Sequence, residues 1–139
     1  MNVLVDTSVW SLALRRKGQN LNAGEAAVVT ELSQLIREGR ARLIGLVRQE
    51  LLSGIRDAGQ YEKLRNTLRA FPDEEASFVD YEAAAKAGNA CRARGIAVSV
   101  SDMLICALAV SREWAIFTTD PDFKKYAKVL PLQLHSPRK

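Results

Sequence analysis

The chain has 139 residues, a net charge of +4, and 47% hydrophobic against 26% charged residues, the makeup of one globular domain over residues 1–139 rather than a disordered chain. No apolar run reaches the ~18 residues a membrane helix needs, and Asp6 interrupts the N-terminal apolar stretch too early for a secretory signal, so a cytoplasmic protein with no membrane partner is expected. Cys91, Cys106 and the single His135 cannot complete a four-ligand zinc site, so both thiols are expected to be reduced core residues, and any metal must be held by oxygen.

Asn2 to Val5 is a short apolar run ending at Asp6, consistent with a buried strand. Thr7 to Leu14 has helical patterning, and Arg15 to Asn20 reads as a loop. Asn22 is placed to cap a helix running to about Glu38, with Ala26, Val29, Leu32, Leu35 and Ile36 as its apolar stripe and Gly39 closing it. Leu43 to Val47 is the second strand, leading into a helix at Arg48 to Ile55. A helix from Gln60 to about Ala70 is broken by Phe71-Pro72. Asp80 to Arg94 is alanine-rich and helical, ending at Gly95, and Val100 to Arg112 is a helix almost wholly apolar after its first turn. Ala115 to Phe117 is the third strand, followed by a turn and short helix over Asp120 to Lys128. Leu132 to Leu134 is a candidate edge strand. This alternation argues for an α/β domain whose mainly parallel sheet is sandwiched by helices.

In open parallel sheets, active sites form beyond the carboxyl ends of the strands. Asp6 follows the first strand, Glu50 the second and Asp120 the third, while Asp102 sits in the first turn of the most apolar helix. The residues three, four and seven beyond Asp102 are Ile105, Cys106 and Ala109, so its helix face is apolar. Glu50 likewise neighbours Val47, Leu51 and Gly54. Each acid has a purely structural alternative. Ser99 and Asp102 have capping-box spacing, Glu50 could pair with Arg48 or Arg56, Asp120 before Pro121 could cap a helix, and so could Asp6 or Thr7. Asp122 is either a first-turn acid or a further ligand. Their joint placement is what capping does not explain. Carboxylates crowded together repel unless a cation sits between them, and magnesium or manganese suits an all-oxygen donor set with room left for water and phosphate. The modest basic charge, with Arg15, Arg16 and Lys17 in one run, suits an anionic partner such as nucleic acid, although solvated surface charge is the commoner explanation of such a balance.

The stretch Val3-Leu4-Val5-Asp6-Thr7-Ser8-Val9-Trp10 resembles the opening of PIN-domain ribonucleases, particularly the toxins of VapBC toxin–antitoxin pairs. So do Gln49 to Gly54, Gly95 with Ser101 to Ala107, and Phe117 to Phe123, in the family's order and across essentially the whole chain. The resemblance implies a three-layer α/β/α sandwich with Asp6, Glu50, Asp102 and Asp120 as the acids at the sheet's carboxyl end, and Asp6, Asp102 and Asp120 as metal ligands. Asp122 remains in play as the last acid, and Thr7 and Thr118 match hydroxyl positions beside the acids. The family also implies Mg²⁺ or Mn²⁺, cleavage of RNA, a homodimer, and inhibition by a cognate antitoxin received in a groove of the first long helices.

The expected chemistry is hydrolysis of an RNA phosphodiester by metal-activated water, with Glu50 as further ligand, water orienter or general base. His135, four residues from the C-terminus, is expected to be exposed. Arg15, Arg16 and Lys17 are candidates to grip the RNA backbone. A DNA flap nuclease would need clamping elements for which the chain is short. A phosphatase would need an Asp where Ser8 stands, and no P-loop pattern is present. From a different class, a non-catalytic module could use the same acids to receive a partner's arginine.

Overall fold

The computed structural model describes residues 1–14 and 20–139. The run Arg15, Arg16 and Lys17 therefore lies outside the described residues. In chain order the elements are β1 (Val3–Val5), α1 (Thr7–Leu14), α2 (Ala23–Arg37), β2 (Ala41–Ile44), α3 (Gly45–Leu52), α4 (Ala58–Leu68), β3 (Asp73–Glu74), α5 (Phe78–Ala93), α6 (Val100–Arg112), β4 (Ala115–Phe117) and α7 (Asp122–Tyr126). The strands form a four-stranded sheet in the order β3-β2-β1-β4, with every pair parallel. Helices flank this sheet in an α/β/α arrangement, as expected.

Val3, Leu4 and Val5 are fully buried, which is why β1 is apolar without alternation: both of its faces are covered by helices. Val5 lies beside Phe117 in the register, and the Asp6 N–H donates to the Phe117 carbonyl at 2.9 Å. The chain order reverses at β1, with β2 on one side and β4 on the other. The carboxyl ends of β1 and β4 thus flank the switch point where open α/β sheets form their sites.

Several boundaries differ from the sequence reading. The second strand is Ala41–Ile44 rather than Leu43 to Val47, and α3 begins at Gly45 rather than Arg48. One apolar run holds both the end of the strand and the first helical turn, so hydrophobicity alone does not divide it. On α2 the Asn22–Glu25 capping box forms as the sequence suggests. The buried face, however, consists of Glu31, Leu32 and Leu35, while Ala26 and Ile36 are exposed. Helix α4 starts early because the Asp57 carboxylate caps it, accepting from the Gln60 N–H at 2.8 Å. At α5 the N-cap is Ser77, and Asp80 in the first turn accepts from its N–H at 2.9 Å, closing a capping box. Gly39 and Gly95 close their helices at φ 68° and 78°, a region that costs a residue with Cβ.

The short strand β3 was not apparent in the sequence. Two arginines hold this edge: the Arg48 Nε donates to Asp73 Oδ1 at 2.8 Å, and the Arg112 Nε donates to Glu74 Oε1 at 2.9 Å. Arg48 is thereby engaged away from Glu50. The expected strand at Leu132 to Leu134 reduces to one parallel bridge between Leu134 and Ile116 along the outer edge of β4.

The C-terminal tail is fastened where an exposed His135 was expected. His135 is only 17% exposed in its side chain; its ring packs edge-on against Phe117, and its Nε2 lies 2.6 Å from Glu31 Oε2. Arg138 donates to both oxygens of Glu31, at 2.8 Å and 3.1 Å, and to Glu38 at 2.8 Å. Together these partners hold the Glu31 carboxyl down at about 2. Cys91 and Cys106 are free and buried, as expected. Trp10 is fully in the core, while Trp114 is half-buried beneath the Arg112 guanidinium.

Candidate active site

Asp6 leaves the buried end of β1 directly into α1. The residue is 6% exposed, and its Oδ2 accepts from the Thr118 hydroxyl at 2.8 Å and the Ser8 hydroxyl at 2.9 Å. The β1–β4 register explains the first contact: residues one step beyond paired positions leave the sheet side by side. Ser8 Oγ in turn accepts from the Thr119 N–H at 3.0 Å, and Thr118 Oγ1 accepts from the Asp120 N–H at 3.0 Å. The two hydroxyls thus tie Asp6 to the turn after β4 that carries Asp120.

Asp102 stands in the first turn of α6, where the Ser99 hydroxyl oxygen accepts from its N–H at 3.1 Å. The Ser99 hydroxyl also acts on the Asp102 carboxyl, favouring its charged form, so cap and carboxylate are coupled. Ile105, Cys106 and Ala109 along the same face are buried, as the spacing requires. Asp102 Oδ2 accepts from the Tyr126 hydroxyl at 2.8 Å. Burial pushes the Asp102 carboxyl above its usual range, the Tyr126 bond pulls it down, and the negative charges of Asp6 and Asp120 push it up again. Asp6, Asp102 and Asp120 therefore share one electrostatic neighbourhood. The thiol of Cys106 is also pushed well above its ordinary value, first by burial and then by Asp102, which suits an inert core residue.

Glu50 departs from the expected close-packed setting. It is exposed, and its Oε1 accepts from the Thr7 hydroxyl at 3.0 Å. Since Thr7 is the neighbour of Asp6, this bond holds Glu50 at the border of the acidic group. Asp120 accepts from the Asp122 N–H at 2.9 Å through Oδ1. The Asp122 carboxylate itself is 48% exposed and lies 3.6 Å from Lys125 Nζ, so a cation already faces it. Among the described residues, Asp6, Glu50, Asp102 and Asp120 form no ion pair. Asp120 and Asp122 therefore differ in their electrostatic setting.

The donor chemistry fits a hard divalent cation: the groups are carboxylates and hydroxyls, negative charge is concentrated, and among the described residues no basic side chain pairs with these four acids. Among the described residues no three acidic, histidine or cysteine side chains close into a ready-made cage. Magnesium does not require one, because it commonly keeps several waters and takes one or two protein carboxylates. Ser8 and Tyr126 were not singled out from the sequence as site residues. A hydroxyl two residues after the first acid was the only available signal for Ser8, and for Tyr126 there was none beyond an aromatic residue on a short helix.

Comparison with known proteins agrees with this fold. The family model described as PIN domain matches residues 3–129. Ribonuclease VapC11 of Mycobacterium tuberculosis is 31% identical over 138 residues, covering 96% of this chain and 98% of its own length. Among solved structures, VapBC2 from Rickettsia felis, bound to a DNA fragment from its promoter, superposes with a TM-score of 0.74 at 15% identity, covering 97% of this chain and 98% of that one. FitAcB from Neisseria gonorrhoeae superposes with a TM-score of 0.69 at 20% identity, covering 97% of both chains.

Proposed function

This chain belongs to the PIN-domain family, and from that premise we propose that it is a metal-dependent endoribonuclease, the toxin of a toxin–antitoxin pair. The observation that carries the reading is the convergence of Asp6, Asp102 and Asp120 on one neighbourhood with no basic partner among the described residues. The relatedness to ribonucleases over nearly the full chain supports RNA as the substrate.

Asp6, Asp102 and Asp120 would hold Mg²⁺ or Mn²⁺, directly or through water. A bound divalent ion supplies positive charge at the phosphoryl group and eases deprotonation of the attacking water. The residues of the chain do the rest. Ser8 and Thr118 occupy Oδ2 of Asp6, and among the described residues Oδ1 takes no hydrogen bond, so one oxygen is held and the other is available. Glu50, exposed and steadied by Thr7, accepts the proton of the water that attacks phosphorus in line. The new P–O bond forms as the P–O3′ bond breaks, and the departing O3′ takes a proton from solvent, leaving a 5′-phosphate and a 3′-hydroxyl. Thr118 and Ser8 keep the turn carrying Asp120 against Asp6 throughout.

The partners follow from the same reading. A cognate antitoxin is supported by the toxin–antitoxin assemblies among the structural neighbours. A guanidinium from such a partner would find carboxylates that have no ion-pair partner among the described residues, so inhibition and metal binding can compete for one pocket. Exposed Phe78, Val79 and Tyr81 at the start of α5 support a homodimer. Arg15, Arg16 and Lys17 remain the candidates for gripping the RNA backbone. No helix among the described residues is long and apolar enough to cross a membrane, and we place the protein in the cytoplasm with its RNA.

The test is cleavage of a mixed RNA pool with Mg²⁺, Mn²⁺ or excess EDTA by wild type, Asp6→Asn and Asp102→Asn, all shown folded and free of antitoxin. Metal-dependent cutting by the wild type that is lost in both variants supports the reading. Cutting that persists in EDTA, or in both variants, overturns it.

A further inference from the structure

Tyr126 is the last residue of α7 and is 1% exposed, its ring packed edge-on against Phe123 at a centroid distance of 5.2 Å. Phe123, fully buried on the same short helix, has no hydroxyl to satisfy. A second phenylalanine would serve the core at position 126 equally well, and it would spare the cost of burying a phenol oxygen. The hydroxyl therefore needs a reason outside packing. Its partner is Asp102 Oδ2, at 2.8 Å.

That bond links two elements that each carry an acid. Asp102 belongs to α6, while α7 follows the turn holding Asp120, whose carbonyl oxygen accepts from the Phe123 N–H at 3.3 Å. An ionised carboxylate can only accept, so in this 2.8 Å contact the phenol hydroxyl is the donor. A fixed donor on one oxygen of a carboxylate restricts rotation of that group and sets which oxygen faces a ligand.

We propose that Tyr126 is a positioning residue for metal binding: its hydroxyl holds Asp102 Oδ2, presenting the carboxylate to the cation and fixing α7, with Asp120 before it, against α6. The proposal rests on the reading of Asp102 as a metal ligand.

Titration of the full-length protein with Mn²⁺, following the free-ion signal by electron paramagnetic resonance, compares wild type with Tyr126→Phe and Asp102→Asn. Tyr126→Phe keeps the ring and its packing, and circular dichroism with thermal melting verifies the fold. Loss of an outer-shell partner of this kind is expected to weaken Mn²⁺ binding about tenfold. Cleavage should then recover toward the wild-type rate at saturating Mn²⁺, a shift in metal requirement that a merely structural defect would not produce. Mn²⁺ affinity within twofold of wild type in Tyr126→Phe, alongside clear loss in Asp102→Asn, overturns the positioning role and leaves the site intact. Unchanged affinity in Asp102→Asn overturns the site itself, and the role of Tyr126 with it.

Discussion

The Thr7 hydroxyl donates to Glu50 Oε1 at 3.0 Å, joining the residue after the first acid to the second acid across 43 positions of chain. Glu50 is exposed, so this bond is its one specific anchor among the described residues. Replacing Thr7 with Val keeps the β-branched shape and removes the donor. The loss should slow RNA cleavage about three- to tenfold, matching the net worth of one hydrogen bond at a partly solvated site. Thr7→Ser, which restores the donor, should recover most of the rate. Equal rates for wild type and Thr7→Val in single-turnover assays would remove Thr7 from the machinery.

Clustered negative charge makes a stability prediction independent of catalysis. Asp102→Asn removes one charge from a neighbourhood shared with Asp6 and Asp120, so without metal its melting temperature should equal or exceed that of the wild type. Adding Mg²⁺ at about a hundred times its dissociation constant should stabilise the wild type by roughly 2.7 kcal/mol, raising the melting temperature by roughly 5–10 °C. The variant should shift far less. Equal shifts in both would mean that the ion binds elsewhere.

The tail latch should be sensitive to acid. Glu31 is 3% exposed, and Arg138 first, then His135, lower its carboxyl from 4.5 to about 2. A carboxyl depressed in the folded state contributes stability that is complete above its unfolded value and is lost as pH falls through the folded one. Glu31→Gln should therefore cost about 1–3 kcal/mol at pH 7, as for a hydrogen bond to a charged group. The gap to wild type should shrink as pH falls from 4.5 toward 2. Urea denaturation at pH 7, 4 and 3 reads this directly, and a gap constant with pH would assign the cost to packing.

Phe78 is 74% exposed, with Val79 and Tyr81 also open beside it. If this patch joins two copies, Phe78→Asp should convert the dimer to a monomer in sedimentation velocity, with little change in melting of the isolated protomer. A wild type that sediments as a monomer at micromolar concentration would remove the homodimer from the proposed function.

The sequence by itself determined the class of fold, because a buried parallel strand must be apolar on both faces and a covering helix on one. The runs Val3 to Val5 and Ala115 to Phe117, and the apolar helix after Asp102, carry those patterns openly. It also marked Asp6 as a candidate, since an acid just beyond a buried strand is placed by the strand itself. What only the tertiary structure decided are relationships across the chain. The β1–β4 register sets Thr118 against Asp6, and Arg48 turns to Asp73 rather than Glu50. The bond from Tyr126 to Asp102 and the burial of Glu31 beneath Arg138 belong to the same group. Hydrophobic period is a local property written along one element, whereas a hydrogen bond between distant side chains depends on how whole elements pack, and no window of sequence contains both partners.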